Sequence, residues 1–312
     1  MASSSRHCPW RCPVSLGGRI RNKEEGIEKM NEPGKILRQL GTGRMLAWLA
    51  FGAAFLVSYL PVLLSLVRTW YQSEDFSHGF MIIPLAGYMV WRQREEIAAS
   101  PVQSSWSGLP LAACSLLAYL FAQLSGMATL ASLSVVTFLW GGVIYLFGFS
   151  IFRVCLFPLL FLLFMIPVPA QVYAALTIPL QLLVTKISVG MASFMGIPIY
   201  REGNVIFLPD MTFQVVQACS GLRSIMTMLT LGAVMGYFFL RSPLLSGILM
   251  LAGIPVAIVV NIFRVVSIVV AYYLFKLDLV DGASHTMLGI VVFVAAIGMF
   301  LLLQKGLSRW EK

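Results

Sequence analysis

MLAWLAFGAAFLVSYLPVLLSLV, residues Met45–Val67, is a run of 23 residues without one charged side chain. A helix needs about 20 apolar residues to cross the hydrocarbon core of a bilayer, so this run is long enough to span it. It is too long for the apolar region of a signal peptide and follows 44 largely polar residues, which predicts an uncleaved anchor.

The rest of the chain repeats the pattern. Apolar residues make up 59% of the 312 residues and charged ones 11%, where soluble domains carry about 25% charge. Thirteen of the 35 charges lie in residues 1–44, which hold nine Lys/Arg and four Glu. A surface so poor in charge cannot face water on all sides, which excludes a soluble domain, a disordered chain and a secreted disulfide scaffold. The net charge of +9 does not indicate nucleic acid, because no basic platform interleaved with aromatics follows the tail. A basic flank before an apolar span instead orients the first helix with its start in the cytoplasm. Five cysteines, Cys8, Cys12, Cys114, Cys155 and Cys219, are odd in number and irregular in spacing, so no disulfide framework is indicated. His7, Cys8 and Cys12 lack the second ligand pair of a zinc site. No metal and no cofactor is expected.

Further spans are predicted at 78–91, 109–126, 129–149, 151–168, 219–240, 244–274 and 285–304, with Pro255 kinking the long seventh. Segment 170–196 is apolar but interrupted by Pro179 and Lys186, and is read as either a ninth span or a surface helix. Eight spans place sixteen of the 22 Lys/Arg on the inner side: the nine of the tail, Arg92, Arg94, Arg153, Arg241, Lys305, Arg309 and Lys312. A ninth would carry the last four outside, so the positive-inside rule favours eight, with 170–196 on the outer face. The expected organisation is therefore an all-α polytopic membrane protein. A cytoplasmic basic tail (1–44) leads to one transmembrane domain (45–304), which includes an outer-face segment (170–218). A cytoplasmic tail (305–312) follows. Within that outer segment Ile197–Arg201 and Val205–Leu208 read as two short strands around a turn at Glu202-Gly-Asn204. Met211–Val216 alternates less cleanly and is a candidate third strand. This small extracytoplasmic β element leads into Gln217-Ala-Cys-Ser-Gly221.

Ionisable residues inside membrane spans are costly and signal function. The eight-span reading brings His78, Cys219, Arg264 with Asn261 one turn before it, and His285 to the outer boundary. Cys219 begins a span, where unpaired N–H groups and the helix dipole lower a thiol pKa. Ser220 and Gly221 add backbone N–H groups beside the sulfur, and Arg223 lies one turn on. A cysteine with a histidine and a third polar group suits acyl transfer. Arg264 is read as an oxyanion or carboxylate binder, and His285 as a general acid or base. His78 is open between a role at the site and an interfacial hydrogen bond. Cys114 and Cys155, in mid-span, read as inert. Gln-Ala-Cys-Ser-Gly nearly matches a caspase signature, but such signatures do not transfer between families.

In these residues the chain resembles the exosortase/archaeosortase family of membrane transpeptidase-like proteases. The matching pieces are Phe76-Ser-His-Gly-Phe80 followed by Ile-Pro, Ala218-Cys-Ser-Gly-Leu-Arg223, Asn261-Ile-Phe-Arg264 and His285, in the family's order, with the likeness running from about residue 45 to 304. The resemblance implies an eight-helix enzyme of the bacterial inner membrane. Its catalytic Cys, Arg and His would be Cys219, Arg264 and His285, facing the periplasm. It also implies the substrates: exported proteins with a short C-terminal motif, often Pro-Glu-Pro, then an apolar helix and a basic end. Such proteins are common in bacteria that make exopolysaccharide. Cys219 would form a thioester, resolved by water or by an amine acceptor. Where the family often has Glu two residues before the cysteine, this chain has Gln217. The rival reading is a transporter or export-channel component for polysaccharide or lipid, with Arg264 and the histidines lining a path. Such a protein has no need of a thiol beside Ser-Gly at a helix start.

Overall fold

The computed structural model describes residues 42–215, 222–277, 279 and 282–311. They fall in two compact units that divide after Pro167.

The first unit opens with α1 (Thr42–Gln72), α2 (Gly79–Arg92), the short α3 (Arg94–Ala99), α4 (Gly108–Leu124) and α5 (Ala128–Phe147). The chain then forms α6 (Phe149–Val154), α7 (Leu156–Phe161) and a 3-10 turn (Leu162–Met165). α4 and α5 make a close antiparallel pair, because glycine lets their backbones meet. A Cβ on Gly108 would lie 2.4 Å from the Gly141 carbonyl oxygen, and one on Gly141 would lie 2.7 Å from the Ala112 nitrogen. Small residues at helix contacts are the usual route to tight packing in lipid, where no hydrophobic force drives helices together. The hydroxyls buried there are paired locally. Ser115 Oγ donates to the Leu111 carbonyl and to Thr137 Oγ1, and Tyr59 reaches the carbonyls of Ser115 and Ser134.

The span expected at 151–168 is two short helices and a turn. Pro158 has no N–H for the Val154 carbonyl, and its ring crowds that oxygen, so α6 stops at Val154. The broken segment still runs back along α5. Trp140 Nε1 donates to the Leu159 carbonyl at 3.2 Å, and Thr129 Oγ1 donates to the Pro167 carbonyl at 3.0 Å.

The second unit contains α8 (Ala170–Phe194), β1 (Tyr200–Glu202), β2 (Val205–Leu208) and β3 (Met211–Gln214). Then come α9 (Leu222–Phe239), α10 (Pro243–Leu251), α11 (Gly253–Phe275) and α12 (Gly282–Trp310). The interruption expected at Pro179 and Lys186 is absent, since α8 is one helix of 25 residues with Pro179 inside it. It runs beside α11 in the same direction. Leu180 packs against the apolar cluster that includes Val256 and Val260, Ser188 Oγ donates to the Ile262 carbonyl, and Ala192 shares a second cluster with Val265 and Val269. Its inner face carries Thr177, Gln181, Thr185 and Ser188, all buried, while Lys186 is exposed and can extend along the helix as long cationic side chains do in membranes. The helix is long and apolar enough to cross a membrane, the first of the two readings of 170–196, and it packs along α11.

The long seventh span divides as expected near Pro255. That residue faces the Leu251 carbonyl without an N–H to offer it, and α10 ends at Leu251. α9 and α10 pack closely through glycine, with a Cβ on Gly232 falling 2.8 Å from the Met250 Cα. α12 runs antiparallel to α11, with Ala296 and Phe300 packed against Val256 and Leu249.

The candidate third strand is real. β1, β2 and β3 form an antiparallel sheet in sequence order, with Glu202 opposite Val205 and Leu208 opposite Met211. Gly203 makes the first turn at φ +61°, and a glycine at the first central position with positive φ is the mark of a type II′ hairpin. The sheet sits at the C-terminal end of α11. Tyr272 Oη donates to the Asp210 carbonyl at 3.3 Å, and the Lys276 ammonium pairs with the Asp210 carboxylate, which holds that ammonium above the usual lysine range. At the opposite end of the unit the Glu311 carboxylate accepts the backbone N–H groups of Arg241 and Ser242 at 2.9 and 2.6 Å. The second unit thus has a sheet end and a cation-rich end that carries Arg241 and Arg309.

Among the described residues five helices have the length and apolar character to cross a membrane: Trp48–Gln72, Ala128–Phe147, Ala170–Phe194, Pro243–Phe275 (α10 with α11) and Thr286–Trp310. Three shorter apolar helices accompany them. The chain is a helical, multi-pass membrane protein with a small sheet.

Candidate active site

The segment that precedes α9 carries Gln217, Cys219, Ser220 and Gly221, which lie outside the described residues. What surrounds that segment is well defined on both flanks. On the upstream side, Val215 is held at both of its backbone groups by one residue. Its N–H donates to the Asn204 carbonyl at 2.8 Å, and its carbonyl accepts from Asn204 Nδ2 at 3.2 Å. Asn204 Nδ2 also reaches Gln181 Oε1 on α8 at 3.3 Å. The β1–β2 turn therefore anchors the strand that feeds the cysteine segment. Downstream, Arg223 is half-buried in the first turn of α9, and its carbonyl accepts from Thr227 Oγ1.

Arg264 lies well inside α11 and is half-buried. Asn261, three residues earlier, shares its face of the helix and is 1% exposed. The Arg264 guanidinium lies against α12 at Gly289, where a Cβ would fall 3.3 Å from Nη2 and 3.7 Å from Cζ. His285 is in the first turn of α12, one helical turn before Gly289, so its backbone is on the stretch of helix that Arg264 touches. Two of the three residues singled out in the sequence are thereby brought to one level of one helix pair. That level lies toward the sheet end, because the α12 residues Ala296 and Phe300 pack lower, against Val256 and Leu249.

His78 belongs to the first unit. It immediately precedes α2, and its Nε2–H donates to the Phe164 carbonyl at 3.2 Å. Trp70 Nε1 donates to the neighbouring Met165 carbonyl at 3.1 Å, and the indole covers Gly79 so closely that a Cβ there would lie 2.4 Å from Nε1. Carbonyls at the end of a helix have no intrahelical donor. The Ser-His-Gly part of the sequence motif thus has a clear structural task, which is to cap the 3-10 turn that ends the broken segment. Of the two roles left open for His78 in the sequence, the hydrogen bond is the one the structure describes.

Two residues escaped the sequence reading. In sequence Asn204 reads only as part of a turn, and Gly289 carries no assigned role. A usable signal existed for Gly289: it follows His285 at a spacing of four, the interval that stacks residues on one helix face. Nothing in the sequence pointed to Asn204 beyond its place beside Gly203, since its partners come from α8 and β3.

Among the described residues, the arrangement offers a planar guanidinium on α11 facing the start of α12, the helix that carries His285. A guanidinium presents directed donors to a carboxylate or a developing oxyanion. Comparison with curated proteins and with solved structures returns no match. Comparison with protein families matches residues 70–302 to the family described as Transmembrane exosortase. That stretch covers every site residue named above and most of the chain, and the chain belongs to the transmembrane exosortase family.

Proposed function

We propose that the protein is a membrane-embedded cysteine peptidase or transpeptidase. It would remove the C-terminal sorting tail, of Pro-Glu-Pro type, from exported proteins. The observation that carries the reading is the contact of the Arg264 guanidinium with α12 one turn from His285, in a chain of the exosortase family. In this reading the Cys219 thiolate attacks the scissile carbonyl, forming the S–C bond and an oxyanion. Arg264, with backbone N–H groups near Ser220 and Gly221, stabilises that charge. As the C–N bond breaks, His285 delivers a proton to the leaving amine. The thioester left on Cys219 is resolved by water or by an amine acceptor, which releases the thiolate. Asn261 and Arg223 take supporting places around the site, and no cofactor takes part.

The site end is proposed to face the periplasm across a bacterial inner membrane. Lys305 and Arg309 lie in the last turns of α12, away from the site end, and such residues favour the cytoplasmic side. A substrate anchored by its own apolar helix, with its basic end in the cytoplasm, would present its motif at that outer boundary.

The test is Cys219→Ala, expressed with a reporter protein that carries a Pro-Glu-Pro motif, an apolar helix and a basic end. The variant should accumulate to normal levels while the reporter retains its tail on an immunoblot. Normal processing would exclude acyl transfer through Cys219.

A further inference from the structure

We infer that Gly289 is a positioning residue for Arg264, and that its missing side chain sets where the guanidinium sits in the proposed reaction. The inference rests on the peptidase reading above and extends it to a glycine of α12 that adjoins the Arg264 guanidinium.

A glycine in the middle of an apolar helix has a cost. It makes a helix less stable than alanine does, because its backbone loses more freedom on folding. Gly289 sits inside α12 without a positive φ, so backbone conformation does not require glycine there. Nor is it a point of close contact between backbones, as Gly108 and Gly232 are. Among the described residues, the only atoms within 4 Å of a Cβ built on Gly289 are Nη2 and Cζ of Arg264, at 3.3 and 3.7 Å. The nearer distance is below the ~3.5–4.0 Å at which non-bonded atoms of this kind rest. Alanine would therefore move the guanidinium by a few tenths of an ångström and would disturb no other described side chain.

The displacement matters because of what the guanidinium is proposed to do. An oxyanion donor acts only within about 2.7–3.1 Å of the developing charge, and misplacements of 1 Å cost on the order of 10²-fold in rate. The notch at Gly289 also fixes the direction of the shift: a methyl group there pushes the Arg264 guanidinium away from α12. Gly298 on the same helix has nothing within 4 Å, which makes it the matched control.

The experiment uses full-length protein in membranes and the reporter with a Pro-Glu-Pro motif, apolar helix and basic end. Abundance is measured alongside kcat and KM for tail removal. Gly289→Ala should keep abundance and KM and lower kcat by about tenfold, with Gly289→Val lower still. Gly298→Ala should match the parent. A merely structural glycine predicts the reverse, since alanine is the better helix former and should leave kcat alone. Unchanged kcat in Gly289→Ala, or a loss confined to abundance or KM, would overturn the positioning role while Cys219→Ala remains inactive. If Cys219→Ala itself processes the reporter, the failure lies in the peptidase reading instead.

Discussion

The two units of this protein differ in the kind of polar group they bury, although hydroxyls in both, such as Ser132 and Thr185, bond to carbonyls of their own helices. In the first, Ser115, Ser132 and Thr137 donate to carbonyls of their own helices, four residues back, and Tyr59 and His78 close on carbonyls of neighbouring segments. Each group is neutral, and its partner is a backbone oxygen that is already nearby. In the second unit the polar content includes a full charge, Arg264, placed between α11 and α12 and shaped around a glycine. The difference shows why burial of polarity is a poor signal of function in a membrane protein by itself. A hydroxyl can satisfy itself against its own helix at almost no expense, whereas a guanidinium cannot. Its five donors need an environment built by several helices, and a charged side chain at mid-depth costs at least ~2.5 kcal/mol if it faces lipid.

The comparison makes predictions of graded size. The largest is all-or-none and concerns orientation. With Cys219 as the sole cysteine, an impermeant thiol reagent added to spheroplasts should label it from the periplasmic side. Labelling from the cytoplasmic side alone would place the second unit the other way up and remove the proposed site from its substrates. Single cysteines placed in the first 44 residues and after Trp310, labelled in the same assay, would report the parity of the spans directly. Matching sides mean an even number of crossings, and opposite sides mean that α8 adds one to the eight expected from charge.

The next effect is chemical and belongs to the second unit. Arg264→Lys keeps the charge but loses the planar fork. A cation needed only for pairing would tolerate the change. For an oxyanion donor the expected loss is about 10²–10³-fold in processing rate, with normal abundance and normal crosslinking of the reporter. Near-normal cleavage would make Arg264 the counterpart of the first unit's buried hydroxyls.

The smallest effect belongs to the first unit and should be purely structural. Gly108→Ala forces a methyl group against the α5 backbone, 2.4 Å from both the Gly141 oxygen and the Tyr145 nitrogen. Overpacking of this kind typically costs about 1–3 kcal/mol. Thermal inactivation of the variant should shift downward while processing per folded molecule stays at the parental rate. A specific loss of kcat at this glycine would blur the distinction between the units.

Much of this could be read from residues alone, and for physical reasons. Membrane residence follows from the scarcity of charge, because every exposed residue must match its solvent. The kink at Pro255 follows from a missing N–H that acts on a carbonyl four residues earlier, whereas the same chemistry at Pro158 breaks a span that reads as continuous in sequence. The hairpin at Gly203 follows from a local φ that glycine supplies. Arg264 and His285 stood out as candidates because ionisable groups are rare in lipid. Each of these inferences depends on short-range chemistry or on a comparison with the solvent.

Other features were decided only by tertiary packing. Whether α8 lies along α11 depends on a face of Thr177, Gln181, Thr185 and Ser188 finding a partner helix, and no local pattern names that partner. His78 was legible as polar, but its bond to Phe164 depends on the carbonyls left open by a 3-10 turn 86 residues away. Asn204 acquires its role from Val215 and Gln181, and Gly289 acquires its role from the reach of Arg264. A sequence states what a side chain can offer. Which distant backbone or charge receives the offer is settled by how the helices pack, since those contacts join residues that the chain itself keeps far apart.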